Sequence, residues 1–232
     1  MLDAFYGIKK MLKYASEILF QKRCALCTCE TKGDVVCENC DLHLDMALLK
    51  ESVFSLQNEN IKIMCAACFD YNNDRVKRLV FSLKDSGDEE TVDYCSVRIM
   101  SVLYFLCVDG ENTVFTAVPR SNNGMYKFGF DQAELLAKRT AEIFASAKYK
   151  RLLARRGFSK EQKNLDEDER WANVSGKFRV KRTCFLNRDY SGNIVIFDDV
   201  CTTGASVLEC AKEIKRKYSR ANVCAVFLAK ND

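Results

Sequence analysis

The stretch Ile194-Val195-Ile196-Phe197-Asp198-Asp199-Val200-Cys201-Thr202-Thr203-Gly204-Ala205-Ser206 decides how this chain is read. Its four leading apolar residues are a short run of the kind found in strands buried on both faces. Two acids stand at the C-terminal end of that run, and a turn of small and hydroxyl-bearing residues leads straight into a helical period over 205–218. In an open α/β sheet the C-terminal strand ends are where ligands bind. A helix N-terminus at such an end offers free backbone N–H groups and partial positive charge, so together with Thr202, Thr203 and Ser206 it predicts a phosphate cradle. Asp198 and Asp199 suit sugar hydroxyls, held directly or through magnesium. A plain strand-turn-helix capped by threonine would not call for two adjacent acids at the strand exit.

Outward from this stretch, strands and helices alternate. Strands are predicted over 61–71, 113–118, 151–154, 194–197 and 223–228, and helices over 74–83, 90–107, 131–145 and 205–218. This order predicts an α/β fold, a mostly parallel sheet flanked by helices. The N-terminal residues Phe5, Ile8, Leu12, Ala15 and Leu19 recur at spacings of three and four, which predicts an amphipathic helix. Lys9, Lys10 and Lys13 interrupt it, so it does not read as a signal peptide. The polar stretch 51–60 looks like a joint between a small N-terminal module, 1–55, and a main domain, 61–232.

The chain has 232 residues, of which 48% are hydrophobic and 29% charged, a balance that excludes disorder. The longest apolar run, near 99–108, is about half of the roughly 18 residues a membrane helix needs, so no integral membrane segment is expected. Thirteen cysteines with no export signal point to a reducing cytoplasm and to free thiols or metal thiolates. Cys24-Ala-Leu-Cys27 and Cys37-Glu-Asn-Cys40 are two C-x-x-C knuckles that can wrap one tetrahedral ion, with zinc the expected metal. A closed four-thiolate site would be structural. Cys29 and His43 are read as bystanders. Cys65 and Cys68 form a third C-x-x-C inside an apolar run and are read as buried strand residues, as are the lone Cys107, Cys210 and Cys224. The charged segment 148–173, with Lys148, Lys150, Arg151, Arg155, Arg156, Lys160 and Lys163, is either a solvated loop or a flap that brings positive charge to an anionic ligand.

The 194–206 stretch resembles the phosphoribosyl pyrophosphate fingerprint of type I phosphoribosyltransferases, and the rest of the chain resembles the ComF family of competence-associated proteins. The likeness runs through the cysteine knuckles, the Tyr71 to Lys84 segment, Val118-Pro119-Arg120-Ser121 and Gly129-Phe130-Asp131-Gln132, with fainter echoes at 159–162, Arg170, Asn173 and Phe178. It departs from the family at Phe128 and Asp131. The resemblance implies a type I phosphoribosyltransferase-like sheet with a small zinc ribbon-like N-terminal module. It implies that Asp198 and Asp199 contact the ribose hydroxyls, that the loop of Cys201, Thr202, Thr203, Gly204 and Ala205 holds the 5-phosphate with Val200 and Ser206 also in the phosphoribosyl pyrophosphate site, and that Pro119 and Arg120 face the pyrophosphate. Arg155 would belong to a covering hood. The implied cofactors are structural zinc and magnesium bound with phosphoribosyl pyrophosphate, and the implied setting is DNA uptake. Two alternatives stand beside a transfer reaction: a non-catalytic factor binding single-stranded DNA through Lys177, Arg179, Lys181, Arg182, Arg188 and the basic flap, and a nucleobase salvage enzyme.

Overall fold

The computed structural model describes residues 22–106, 108, 111–120, 129–144, 146–156, 174–182 and 186–231. The expected N-terminal helix, Cys107, Ser121, Phe128, residues 159–162, Arg170 and Asn173 lie outside the described residues, as do Lys160 and Lys163.

Helix α1, Glu38–Asp45, follows the cysteine knuckles, and β1, Val53–Gln57, and β2, Lys62–Asp70, follow it. Then come α2, Asp74–Asp85, α3, Glu89–Leu103, β3, Thr113–Ala117, and α4, Gln132–Ile143. Three short strands come next: β4, Lys148–Tyr149, β5, Leu153–Arg155, and β6, Phe178–Val180. The chain closes with β7, Asn193–Cys201, α5, Ala205–Lys217, and β8, Asn222–Lys230.

The main sheet has strand order β1-β2-β8-β7-β3-β4. All its pairs are parallel except β1 with β2. Strands β5 and β6 form a separate antiparallel ribbon. The chain is thus an α/β protein with a mostly parallel sheet flanked by helices and a cysteine cluster near its N-terminus, as the alternation predicted.

The stretch 51–60, expected as a joint, is corrected: it contains β1, the antiparallel edge of the main sheet. An edge strand with one solvated face needs few apolar residues, which is why it reads as polar. The strand expected at 151–154 forms at Leu153–Arg155 as β5, but it pairs outside the main sheet, whose other edge is the two-residue β4.

Side-chain alternation along β7 and β8 divides the core in two. Val195, Phe197, Cys224, Val226 and Leu228 face α2, α3 and α4, while Ile194, Ile196, Val223, Ala225 and Phe227 face α5. Cys65 and Cys68 on β2 follow the same rule. Three residues apart in a strand, they point to opposite faces and bury in different cores. They are strand residues, not half of a metal site.

The helices begin where side chains satisfy their free amides. Asn73 caps α2 by accepting from Arg75 and Val76, Asp88 caps α3 by accepting from Thr91, and Asp131 caps α4 by accepting from Glu134. Helix α2 sends Val76, Leu79, Val80 and Leu83 inward and leaves Phe81 66% exposed. At the sheet centre Phe115 of β3 and Phe197 of β7 are fully buried with ring centroids 4.9 Å apart. Phe197→Ala should lower the unfolding free energy by about 3–5 kcal/mol in urea titrations. Phe81→Ala should change it by no more than about 0.5 kcal/mol.

Candidate functional site

Two sites emerge from this scaffold. The first forms at the C-terminal edge of the sheet. β7 pairs in parallel with β3 on one side and β8 on the other, with Ala117 opposite Phe197 and Val226 opposite Phe197. The strand expected to end at 197 runs on to Cys201, so Asp198 and Asp199 lie within β7, still paired to β8 but beyond the last pair with β3. They stand at the level of Val118, Pro119 and Arg120, whose chain is tied to β7 by Val118 N–H donating to Phe197 O. The Asp199 amide donates to Asp198 Oδ1 at 3.0 Å and the Val200 amide to Asp199 Oδ1 at 2.7 Å, which fixes both carboxylates.

Burial raises the Asp198 carboxyl well above the usual carboxylate range, and the negative charge of Asp199 adds to the effect. Asp199 is compensated from outside its own strand. Lys84 Nζ, at the end of α2, lies 2.8 Å from Asp199 Oδ2. Two adjacent carboxylates, one of them ion-paired to Lys84, are a donor set suited to a hard divalent cation.

After β7 the chain turns through Thr202 and Thr203 into Gly204, which has φ of 70° and precedes α5. Two requirements meet at Gly204. The left-handed backbone favours glycine, and a Cβ there would lie 2.5 Å from Leu56 Cδ1. Unlike α2, α3 and α4, α5 has no side-chain cap at this position. The Ala205 amide donates to Thr203 Oγ1 at 3.4 Å, and the turn and the start of α5 line a cavity of about 50 Å³ formed by residues 200–207 with Asp198 and Phe227. That is room for a compact group. The sequence-predicted residues Asp198, Val200, Cys201, Thr202, Thr203, Gly204, Ala205 and Ser206 thus share one small cavity, with Asp199 beside it.

Pro119 and Arg120 arrive next to them, held in a way the sequence did not reveal. Asp131 accepts from the Arg120 amide at 2.9 Å while capping α4. The Arg120 guanidinium donates to Phe130 O at 3.3 Å and to the Gln132 side chain. Gln132 in turn donates to Lys84 O at 3.3 Å. Lys84, Asp131 and Gln132 therefore brace the acidic pair and the arginine. None could be found by periodicity, because each acts across the fold. Arg155 is in the β5–β6 ribbon, its guanidinium carbon 5.6 Å from the Phe178 ring centroid.

The second site is the cysteine cluster. The sulfurs of Cys24, Cys27, Cys29 and Cys37 all lie within 4.8 Å of one another. Cys27 Sγ is 3.2 Å from Cys29 Sγ and 3.6 Å from Cys37 Sγ. Four thiolates around one tetrahedral zinc, at bonds of about 2.3 Å, sit about 3.8 Å apart, so the group fits such an ion. The amides of Leu26 and Cys37 both donate to Cys24 Sγ at 3.4 Å, supporting a thiolate there. Burial, the largest influence on Cys24, raises its thiol, but these amides outweigh it and hold it below the ordinary value. The Cys29 amide does the same for Cys27, and the Cys40 amide for Cys37.

Cys40, in the first turn of α1, is fully buried and meets the thiols of Cys27, Cys37 and Cys24. Burial and these thiols push it up to about 12. Cys29, read from the sequence as a bystander, belongs to the close group. Its neighbours Cys27 and Cys37 push its thiol up to about 12. The turn that brings it in passes through Thr28 at φ 63°, the one non-glycine residue with positive φ among the described residues. A β-branched residue is strained there. His43, in the last turn of α1, is not in the group.

A third feature is a groove of about 920 Å³ between the β5–β6 ribbon and the C-terminal half of α5, lined by Arg156, Arg179, Lys181, Arg182, Arg188, Arg216 and Lys217 against Glu213 alone. Its cations are scattered in sequence, and the fold gathers them.

Among the described residues no helix is long and apolar enough to cross a membrane. The sequence matches no family profile and no curated protein. Among solved structures, an adenine phosphoribosyltransferase superposes with a TM-score of 0.37 and 13% identity, covering 83% of this chain and 90% of that one. The Saccharomyces cerevisiae adenine phosphoribosyltransferase, complexed with an imino-altritol bisphosphate and adenine, gives 0.35 and 13%, covering 84% and 89%. The AQ2163 protein from Aquifex aeolicus gives 0.29 and 13%, covering 67% and 77%. Superpositions this loose leave the class to be defined by the strand order and the site itself.

The raised carboxyl of Asp198 makes a prediction about stability. An acid whose folded value lies above its unfolded value, about 3.9, opposes folding progressively as pH rises through that window. Asp198→Asn should therefore melt higher than the wild type at pH 8, with the gap closing toward pH 4. Calorimetric melts at the two pH values check this, and a gap that widens on acidification contradicts it.

Proposed function

We propose that the chain binds phosphoribosyl pyrophosphate at the C-terminal edge of the sheet and is a phosphoribosyltransferase-like protein of the ComF type. The observation that carries this reading is the fixed Asp198–Asp199 pair beside the start of α5, whose N-cap is a glycine, and its small hydroxyl-lined cavity. Charge and dipole there suit a phosphate and a diol held side by side.

In this reading the amides and hydroxyls of 202–206 receive the 5-phosphate and the Asp198–Asp199 carboxylates receive the ribose hydroxyls. Arg120 lies where the pyrophosphate would leave. Magnesium, when bound with the ligand, would neutralise pyrophosphate charge. The residues of the chain contribute by position: a nitrogen nucleophile would displace pyrophosphate from C1, the C–O bond breaking as the C–N bond forms, and Arg120 would meet the negative charge that develops on the departing group. Lys84 would hold the Asp199 side chain aimed until the ligand arrives.

Titration calorimetry with phosphoribosyl pyrophosphate in magnesium buffer tests this. Wild-type protein should bind and Asp199→Asn should not; equal affinity for the two overturns the assignment. Pyrophosphate release on adding a purine or pyrimidine base would support nucleobase salvage as the reaction.

A second reading rests on the basic groove. Seven cations against one carboxylate in about 920 Å³ suit a nucleic-acid backbone, in line with a role in DNA uptake. In fluorescence anisotropy with single-stranded DNA across a salt series, affinity should fall with a slope of about 0.7 per phosphate neutralised. Arg179→Glu with Arg182→Glu should flatten that slope, and absence of binding at low salt removes the reading.

A further inference from the structure

The cysteine cluster holds one thiol more than a tetrahedral ion can use. Cys24, Cys27 and Cys37 are common to two possible four-thiol sets. One is closed by Cys29, which is exposed and whose sulfur lies 3.2 Å from that of Cys27. The other is closed by Cys40, which is fully buried and meets all three shared thiols. Cys40 falls outside the group whose sulfurs lie within 4.8 Å of one another, and Cys29 falls inside it.

The local chain is built to keep both thiols in reach. The Cys24 amide donates to Cys29 O at 2.8 Å and the Thr28 amide to Cys24 O at 2.9 Å, so the strained Thr28 turn folds Cys29 back onto the knuckle. On the other side Cys37 is the N-cap of α1, and the helix carries Cys40 one turn further in. A turn that serves only to pass between two elements would not need a β-branched residue in the left-handed region.

We propose that this is a five-thiol metal site in which Cys29 and Cys40 compete for the fourth coordination position of one soft divalent ion such as zinc. The ion keeps Cys24, Cys27 and Cys37 throughout. With Cys40 it is closed on the buried side, and with Cys29 on the solvent side. Zinc can expand to five ligands in passing, so the entering thiol bonds before the departing one leaves. The displaced thiolate takes up a proton as it departs, and the entering thiol releases one, so the exchange is neutral. Such a site takes up and hands over its ion by ligand exchange at the exposed face, without the module having to open.

Cobalt(II) titration of the metal-free full-length chain tests this, because the sulfur-to-cobalt charge-transfer band scales with the number of bound thiolates. Cys29→Ser and Cys40→Ser should each keep the full four-thiolate band, and the double variant should lose one thiolate's share of it. If either Cys29→Ser or Cys40→Ser shows the loss by itself, the fourth ligand is fixed and the proposal fails. Because Cys40 is buried and its variant can misfold, zinc transfer to excess chelator is compared in wild type and Cys29→Ser, both of which retain Cys40. Transfer should slow in Cys29→Ser; an unchanged rate overturns the proposal.

Discussion

The parallel pairing of β7 between β3 and β8 is the constraint on which the candidate ligand site depends. A strand bonded on both sides cannot slip by one residue without exchanging its two buried faces. The register that buries Phe197 against Phe115 therefore also sets where Asp198 and Asp199 emerge. Because β3 runs parallel to β7, the Pro119–Arg120 turn must emerge at the same edge. The helix that follows β7 must then start at that edge and return over the sheet. Acids, arginine and helix N-terminus converge because the hydrogen-bond ladder leaves them no other place to go.

That convergence has an energetic cost, and the fold carries it in one location. Burying Asp198 beside Asp199 opposes folding, and only Lys84 among the described ion pairs answers the pair directly. The large apolar cores on the two faces of the sheet supply the stability that tolerates it. A cation or cationic complex entering the site would relieve the repulsion, so the free energy stored against folding becomes free energy available for binding. The basic groove presents the opposite case: its cations lie in an open channel where solvent screens them, so they accumulate at little cost.

Much of this was legible in the chain. The order of strands and helices followed from apolar runs and helical periods, and the 194–206 stretch announced both its strand and its turn. The knuckle spacing pointed to a metal cage. What stayed hidden was whatever depends on contacts between distant segments. Glu51 to Asn60 reads as polar because an edge strand exposes one face, so β1 looked like a joint. Lys84 reads as an ordinary helix-end lysine until α2 is laid beside β7. Asp131 reads only as the start of a helical period, and the fold shows it capping that helix while accepting from the Arg120 amide. Cys29 was set aside because it breaks the C-x-x-C spacing, and a spacing rule has no way to register a backbone turn through Thr28.

Helix α2 touches both sites. Near its start the Arg78 guanidinium donates to Leu26 O inside the cysteine knuckle at 3.0 Å, and at its end Lys84 grips Asp199. The six residue steps from Arg78 to Lys84, at about 1.5 Å each, put about 9 Å of helix between the two contacts. Arg98 of α3 anchors the same module through Asp41 and Asp45, so the knuckles are clamped to the domain and cannot swing as an independent bead. The cysteine module is thus the far mounting of the lever whose near end is the lysine at the acidic pair.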